Sequence, residues 1–318
     1  MIRYIFFRLF YAAILLAGTI VITFFMTRML PGDPIRAAMQ QNMDLKDEAI
    51  VQQVRARYGL DRPAYIQFGM WARDFFTGNW GNSLSSGQKV THMFWQRVPV
   101  TLELFFLSLF WSWSFGIILG VISALKRNTM LDFTITGISI AGLSIPIFWE
   151  AIILIYVLAV WWKILPPSGY VSFFEDPVTN LKMLAMPTFV MATHGMAGVA
   201  RYVRSSLLEV ISQDFIRTAR AKGLRERMVI LQHAFKPAAI PVITIFGGTF
   251  AGILSGSFIV ELMFALPGLG RMGLDAIFQR DFPIIQAMAV LGSSCVLLAN
   301  LITDLAYGWL DPRVRIYK

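Results

Sequence analysis

The chain has 318 residues, of which 56% are hydrophobic and 15% are charged, yet its formal net charge is +9. This composition excludes a disordered chain, which requires low hydrophobicity. It also argues against an ordinary soluble enzyme, which needs a polar surface. It fits a polytopic membrane protein whose basic residues lie in the connections between spans. A nucleic-acid binder remains compatible with the charge until the positions of the basic residues are considered.

Six apolar segments are candidate membrane spans, since a span needs about 20 mostly apolar residues. They are Leu9–Thr27, Val98–Leu125, Thr134–Trp162, Ala185–Ala200, Pro237–Leu262 and Ile285–Gly308. None contains Lys or Arg, so all 28 basic residues fall in the connections. A cation at the membrane centre costs about 2.5–3.5 kcal/mol, so this exclusion is a topology signal and nucleic acid is not expected as a partner. The predicted fold class is an all-α polytopic membrane protein with six transmembrane helices.

The basic residues also predict the orientation of the chain. With the N-terminus inside, the cytoplasmic segments hold 15 Lys and Arg, and the two short outer loops hold 4. This bias favours both termini in the cytoplasm. Three parts follow: the cytoplasmic N-terminus with the first span (1–27), an extracytoplasmic helical segment (28–97) and a five-helix core (98–318). Helical spacing of apolar residues predicts two short helices in the second part, Asp44–Tyr58 and Ala64–Phe76.

The longest cytoplasmic connection, 201–236, carries 8 basic and 3 acidic residues. Asp214 lies three positions before Arg217, a spacing that supports a short helix, and Gly223 is a suitable C-terminal cap. A second helical run, Leu224–Phe235, follows. A basic helix resting on anionic membrane lipid is one interpretation. The compact helix–glycine–helix form favours the other, a docking element for a cytosolic partner.

Short motifs along the whole chain are similar to those of one transporter family. They are LPGDP (30–34), YGLDRP (58–63), TLEL (101–104), SIPIF (144–148), LPPSG (165–169), RYVRSSLLEV (201–210), DFIRTARAKGL (214–224), HAFKPAAIPVIT (233–244), PGLG (267–270), RDFP (280–283) and DPRVR (311–315). Their order and spacing resemble those of permeases from binding-protein-dependent ABC importers. The similarity is narrowest to the oligopeptide/dipeptide/nickel-type class, and to the first of the two permeases that such systems usually carry.

The resemblance implies a multi-pass permease of the bacterial inner membrane that forms the translocation path with a second homologous permease. Two cytosolic ATPase subunits would bind ATP and magnesium, and an extracytoplasmic binding protein would deliver the substrate. The chain itself would hold no cofactor. The residues that the resemblance assigns to ATPase coupling are Asp214, Phe215, Arg217, Thr218, Ala219, Arg220, Lys222 and Gly223. Arg217 stands where the general permease motif has an acidic residue, which is a basic variant common in the peptide/nickel class.

Four carboxylates lie within the predicted spans, and an acid at membrane depth is a functional candidate. Glu103 and Glu261 lie near the outer ends, where we expect interfacial water to solvate them. For Asp304 we expect a structural hydrogen bond. Glu150 follows Pro146, which should kink the helix. We therefore assign Glu150, Pro146 and Trp149 to the substrate path. The hypothesis is that Glu150 faces either the water-filled path, where it meets a cationic group of the substrate, or the partner permease.

The sequence contains no GxxxxGK[ST] phosphate loop, no metal-ligand spacing and no nucleophile motif. No catalytic or metal-binding residue is therefore predicted, and the chain is not expected to be an enzyme by itself. The preferred function is a permease subunit for peptides, with nickel, glutathione and oligosaccharides as alternative substrates. A stand-alone secondary transporter or channel that uses an intramembrane carboxylate is the alternative class. The 201–236 connection favours the ABC permease, because a stand-alone carrier does not need a docking element.

Overall fold

The computed structural model describes residues 2–29 and 61–310, and this part of the chain is almost entirely helical. Its helices are α1 (Ile2–Met29), α2 (Ala64–Phe76), α3 (Val90–Leu125), α4 (Met130–Ser144), α5 (Ile147–Leu154), α6 (Pro177–Ile211), α7 (Asp214–Ala221), α8 (Glu226–Met228), α9 (Phe235–Thr244), α10 (Phe246–Met263), α11 (Leu269–Gln279) and α12 (Phe282–Leu310). Two π-helical segments, Ile155–Trp161 and Val229–Ala234, follow α5 and α8. The predicted helix Ala64–Phe76 is confirmed, whereas the predicted helix Asp44–Tyr58 lies outside the described residues.

The membrane-spanning character of the chain is confirmed. Among the described residues, five helices are long and apolar enough to cross a membrane, and a bent pair of helices brings the number to six if that pair is one span. The bent pair is α4 with α5 and its π-helical extension, and the two halves meet at an angle of 102°. The break lies at Ile145 and Pro146, which have extended backbone conformations. The expected kink at Pro146 is therefore a full break, because proline cannot donate the backbone hydrogen bond that continues a helix.

The fourth predicted span, Ala185–Ala200, was too short. The helix that contains it, α6, runs over 35 residues from Pro177 to Ile211. Asp176 starts the helix, since its carboxylate accepts hydrogen bonds from the backbone N–H groups of Val178 and Thr179. The apolar window stopped before Arg201, but the helix continues to Ile211, and Arg204 on this extension has Asp132 as its ion-pair partner.

The fifth predicted span, Pro237–Leu262, is divided into two helices. Helix α9 ends at Thr244 and α10 begins at Phe246, with Ile245 between them. Pro241 lies inside α9 and lacks the N–H that would bond back along the helix. The part long and apolar enough to span the membrane is Pro241–Met263.

The chain divides into two compact units. The first comprises Met1–Leu9, Leu102–Leu266 and Leu298–Lys318, and the second comprises Phe10–Thr101 and Pro267–Leu297. In the first unit, α6 is the central helix, and it packs against α4, α5, α9 and α10. The second unit has its own apolar core, formed by Val90, Met272, Ala276, Ile284 and Ala287.

Glycines bring α3 and α6 into close contact in the first unit. A Cβ atom on Gly116 would lie 2.7 Å from the Cβ of Val199, and one on Gly120 would lie 2.6 Å from the backbone oxygen of Ala200. The two glycines are four residues apart and therefore share one face of α3. This is the small-residue packing that lets two membrane helices approach closely.

A buried ion pair joins three helices of the first unit. The Asp132 carboxylate, in the first turn of α4, accepts hydrogen bonds from Nε (2.7 Å) and a terminal nitrogen (2.8 Å) of Arg204 on α6. It also accepts from the hydroxyl of Ser123 on α3 and from the backbone N–H of Asn128. The Asp132 side chain is only 2% exposed. This network fixes α3, α4 and α6 at one end of the helical core.

Candidate functional site

The predicted coupling element forms a short amphipathic helix, α7, that is anchored on one face. Ile216 and Ala219, three residues apart, lie on the same side of the helix and are buried. They belong to an apolar cluster that includes Leu207 and Val210 of α6 and Val229 of the second π-helical segment. The helix is thus packed against the end of α6 rather than suspended in a loop.

The opposite face of α7 is polar and exposed. The exposed members of the predicted set are Asp214, Phe215, Arg217, Thr218, Arg220, Lys222 and Gly223, whereas Ala219 lies on the packed face. Asp214 and Arg217 form an ion pair of 3.2 Å, as their spacing predicted. Because Phe215 is 43% exposed among these polar groups, the surface offers an aromatic side chain as well as positive charge.

The turn after α7 is fixed by Gly223 and by an ion pair. Gly223 has a φ of +72°, a left-handed conformation that glycine adopts without steric cost. Arg220 donates to both carboxylate oxygens of Glu226 on α8, at 3.1 and 2.6 Å. These hydrogen bonds lower the pKa of Glu226 below its ordinary value. Both partners remain substantially exposed, so the pair orients the turn more than it stabilises the fold.

The predicted substrate-path residues surround the break between α4 and α5. Pro146 precedes the first residue of α5, and Glu150 lies in the first turn, where the helix dipole favours a negative charge. The Trp149 side chain is half-exposed, whereas that of Glu150 is 13% exposed. Oε2 of Glu150 lies 3.4 Å from Nε2 of His194 on α6. Both atoms are buried without a well-aligned hydrogen bond.

His194 connects this pair to a cleft of about 490 Å³ in the first unit. The lining residues are Ile147, Met191, His194, Gly195, Gly198, Tyr202, Ile245, Gly248, Thr249, Gly252, Ile253 and Gly256. Pro146, Trp149 and Glu150 are not in the lining. Gly248, Gly252 and Gly256 are spaced four residues apart on α10 and therefore lie on one face of that helix. This pattern is visible in the sequence, but it gives no indication that His194 lies opposite.

The other carboxylates in the spans have three different environments. Glu103 accepts a hydrogen bond of 2.8 Å from the hydroxyl of Tyr170. Asp304 forms an ion pair of 2.8 Å with Arg8, so a structural partner is present as expected. Glu261 is completely buried, so the expectation that interfacial water solvates it was wrong. Glu261 does lie near the end of α10, as predicted. It is buried because it lies on the packed face of that helix, together with Ser257 and Val260.

The Tyr170–Glu103 hydrogen bond ties the segment after α5 to α3. Tyr170 lies outside the spanning helices, and burial together with the neighbouring carboxylate raises the pKa of its phenol above the ordinary value. The sequence does not predict this contact, because 67 residues separate its partners.

The helices described above define a multi-pass α-helical membrane protein. A family model for the binding-protein-dependent transport system inner membrane component matches residues 116–316, and a model for the N-terminal part of such components matches residues 1–105. The chain belongs to this family, and it is therefore a transport component of the bacterial inner membrane rather than a catalytic enzyme.

Curated relatives match nearly the whole chain. The oligopeptide transport system permease protein AppB of Bacillus subtilis (strain 168) is 38% identical over 307 residues, covering 94% of this chain and 95% of AppB. The di/tripeptide transport system permease protein DppB of Pseudomonas aeruginosa (strain UCBPP-PA14) is 36% identical over 318 residues and covers 94% of each chain.

Two solved structures share the fold. A chain of the MetNI methionine ABC transporter in inward facing conformations has a TM-score of 0.56 at 20% identity, covering 67% of this chain and 93% of its own. A chain of an amino acid ABC transporter has a TM-score of 0.50 at 17% identity, and the match covers 69% of the present chain and 94% of the transporter chain.

Proposed function

We propose that the chain is a permease subunit of an ATP-driven importer of peptides. It works with a second homologous permease, two cytosolic ATPase subunits and an extracytoplasmic substrate-binding protein. ATP and magnesium belong to the ATPase subunits, so this chain needs no cofactor of its own. Relatives named for oligopeptide and di/tripeptide transport, matched over nearly their full length, support peptides as the substrate class.

The observation that carries the proposal is the two-faced geometry of α7. Its buried face is fixed to the end of α6, and its exposed face presents positive charge and Phe215. A partner that pushes on the exposed face therefore moves α6, the central helix of the first unit. In this proposal Asp214, Phe215, Arg217, Thr218, Arg220, Lys222 and Gly223 contact an ATPase subunit. Ala219 acts from the packed face by holding the helix in place.

The substrate path in this proposal runs beside the broken span. The 102° break at Pro146 starts a new helix, α5, near the middle of the apolar segment Thr134–Trp162, and the first turn of α5 carries Trp149 and Glu150. Irregular backbone at membrane depth is tolerated where it is buried in protein or lines a water-filled cavity. The half-exposed Trp149 supplies an aromatic surface, and Glu150 supplies negative charge.

The docking surface is tested by charge reversal in the complete importer. Arg220→Glu and Gly223→Asp should abolish copurification of the ATPase subunits and, with it, peptide uptake. Because Arg220 also pairs with Glu226, the matched control is Glu226→Gln, which breaks that pair without adding negative charge to α7. Arg271→Glu, at a partly exposed position on α11, controls for a change of net charge elsewhere.

Retention of both ATPase binding and transport in the two docking variants would refute the role of α7. Equal losses in Glu226→Gln would show that the internal pair, rather than the exposed face, is what matters. Uptake by the chain without ATPase subunits would instead favour the stand-alone carrier.

A further inference from the structure

The cleft between α6 and α10 has the dimensions of a ligand site but very few polar side chains. Its volume of about 490 Å³ lies within the range of known small-molecule sites. Of its polar lining side chains, Thr249 already donates to the backbone oxygen of Ile245 at 3.1 Å. His194 and Tyr202 remain as the polar contact points.

Several of the glycines that line the cleft leave open space beside His194. A Cβ atom on Gly198, Gly248 or Gly252 would meet no atom within 4 Å, so these positions border open volume rather than a packed contact. On α10, Gly248 and Gly252 therefore present backbone to the cleft, while the imidazole of His194 reaches in from α6.

The acidic residue beside the cleft, Glu150, has no Lys or Arg partner among the described residues. Glu150 has one ion-pair neighbour within those ranges, His194, at 3.4 Å. Arg204, nearly three turns further along α6, forms an ion pair with Asp132. A carboxylate attracts cations and repels anions, so Glu150 favours a cationic ligand group on this side of the cleft.

The geometry of the pair explains how this charge reaches a ligand. Glu150 is not in the lining, so it acts through His194. Nε2 of His194 faces the carboxylate of Glu150 at 3.4 Å, so Nδ1 is the ring nitrogen left to accept a hydrogen bond from a donor in the cleft. The two facing atoms are buried without a well-aligned hydrogen bond, so Glu150 acts on the imidazole mainly through its charge.

We propose that His194, held and polarised by Glu150, contacts the substrate in this cleft and selects protonated amino groups. This inference rests on the proposed peptide transport. His194 is the contacting residue, Glu150 is its positioning residue, and the ligand class is the α-ammonium group or a basic side chain of a peptide. An N-acylated or anionic peptide lacks the group that this pair recognises.

The charge preference is measured first without transport, by thiol labelling in the assembled importer. Gly198→Cys is introduced after replacing the single native cysteine, Cys295, with alanine. A cationic ethylammonium and an anionic ethylsulfonate methanethiosulfonate are compared, each normalised to its rate with a free thiol. The cationic reagent should react faster, and Glu150→Gln should reduce the cation-to-anion ratio about fivefold. Gly252→Cys provides a second reporter.

Glu103→Gln is the matched control, since it removes a carboxylate from α3 that lies outside the cleft. It should leave the labelling ratio unchanged. The inference is overturned if the ratio is the same with and without the Glu150 charge. It is also overturned if neither cysteine reacts, because the cleft is then closed to solvent.

Peptide uptake by the reconstituted importer provides the second readout. The wild type should prefer tri-alanine over N-acetyl-tri-alanine, and Glu150→Gln or His194→Gln should reduce that preference about fivefold to tenfold with the same binding protein. Uptake with an unchanged preference in both variants overturns this inference alone. Failure of the wild type to transport either peptide overturns the proposed function, and this inference with it.

Discussion

Replacing Asp132 with alanine should destabilise the permease more than any exposed charge substitution. The variant removes the common acceptor of two Arg204 hydrogen bonds, of the Ser123 hydroxyl and of the Asn128 N–H. It leaves the guanidinium of Arg204, whose side chain is 30% exposed, without its partner. Breaking a buried pair in this way costs about 3–5 kcal/mol, and the partial exposure of Arg204 favours the lower end.

The assay is thermal unfolding of the purified importer in detergent. A loss of about 3 kcal/mol corresponds to a fall in Tm of about 6–12 °C for a domain of this size. Asp275→Ala is the matched control, since Asp275 forms a long ion pair of 3.9 Å with Arg271 and its side chain is 48% exposed. It should change stability by about 1 kcal/mol or less.

A double variant separates the lost ion pair from the stranded charge. Asp132→Ala with Arg204→Met should be more stable than Asp132→Ala alone, because the second substitution removes the uncompensated cation. The reasoning is refuted if Asp132→Ala melts within about 2 °C of the wild type. The reasoning is also refuted if the loss of stability in the double variant equals the sum of the losses in Asp132→Ala and Arg204→Met measured separately.

Two further predictions concern the helix contacts of the first unit. Gly120→Ala should cost about 1–3 kcal/mol, because the added Cβ would lie 2.6 Å from the Ala200 oxygen. Gly137→Ala on α4 meets no atom within 4 Å and should be neutral or slightly stabilising. Equal melting temperatures of these two variants would contradict the close packing of α3 on α6. Tyr170→Phe should cost about 1.5–3 kcal/mol at neutral pH, because Glu103 loses a donor. The folded state raises the pKa of Tyr170, so wild-type stability should fall relative to the variant above about pH 10, where the unfolded phenol ionises first. Melting curves of both proteins across pH test this, and a constant difference would count against it.

The sequence predicts the spans because their signal is local. An apolar run and the exclusion of Lys and Arg can be read within one window, and these two features identify most of the membrane-spanning helices. The same holds for α2, whose bounds match, and for the turn at Gly223, where a glycine follows a strong helix-forming run. Pro146 signals an interruption, but the angle of 102° depends on the packing of both halves.

The contacts that hold the helices together have no local signal. Asp132 and Arg204 are 72 positions apart, and each lies just outside an apolar window, where a charged residue is unremarkable. Their pairing explains why α6 extends beyond the first basic residue that ended the predicted span. Helix bounds were therefore misjudged where a tertiary ion pair stabilises a charge that hydropathy treats as a stop signal.

For the carboxylates in the predicted spans, the sequence indicates their position along the helix but not the neighbours that they face. The position of a residue along a span predicts its depth, but its rotation about the helix axis decides what it faces. Glu261 has the depth of an interfacial residue and is nevertheless fully buried, because it shares a packed face with Ser257. Glu103 and Asp304 have a tyrosine and an arginine as partners. Glu150 faces an imidazole at the edge of a cleft, and this position is the reason that we propose a role in ligand recognition for Glu150 and not for the other three.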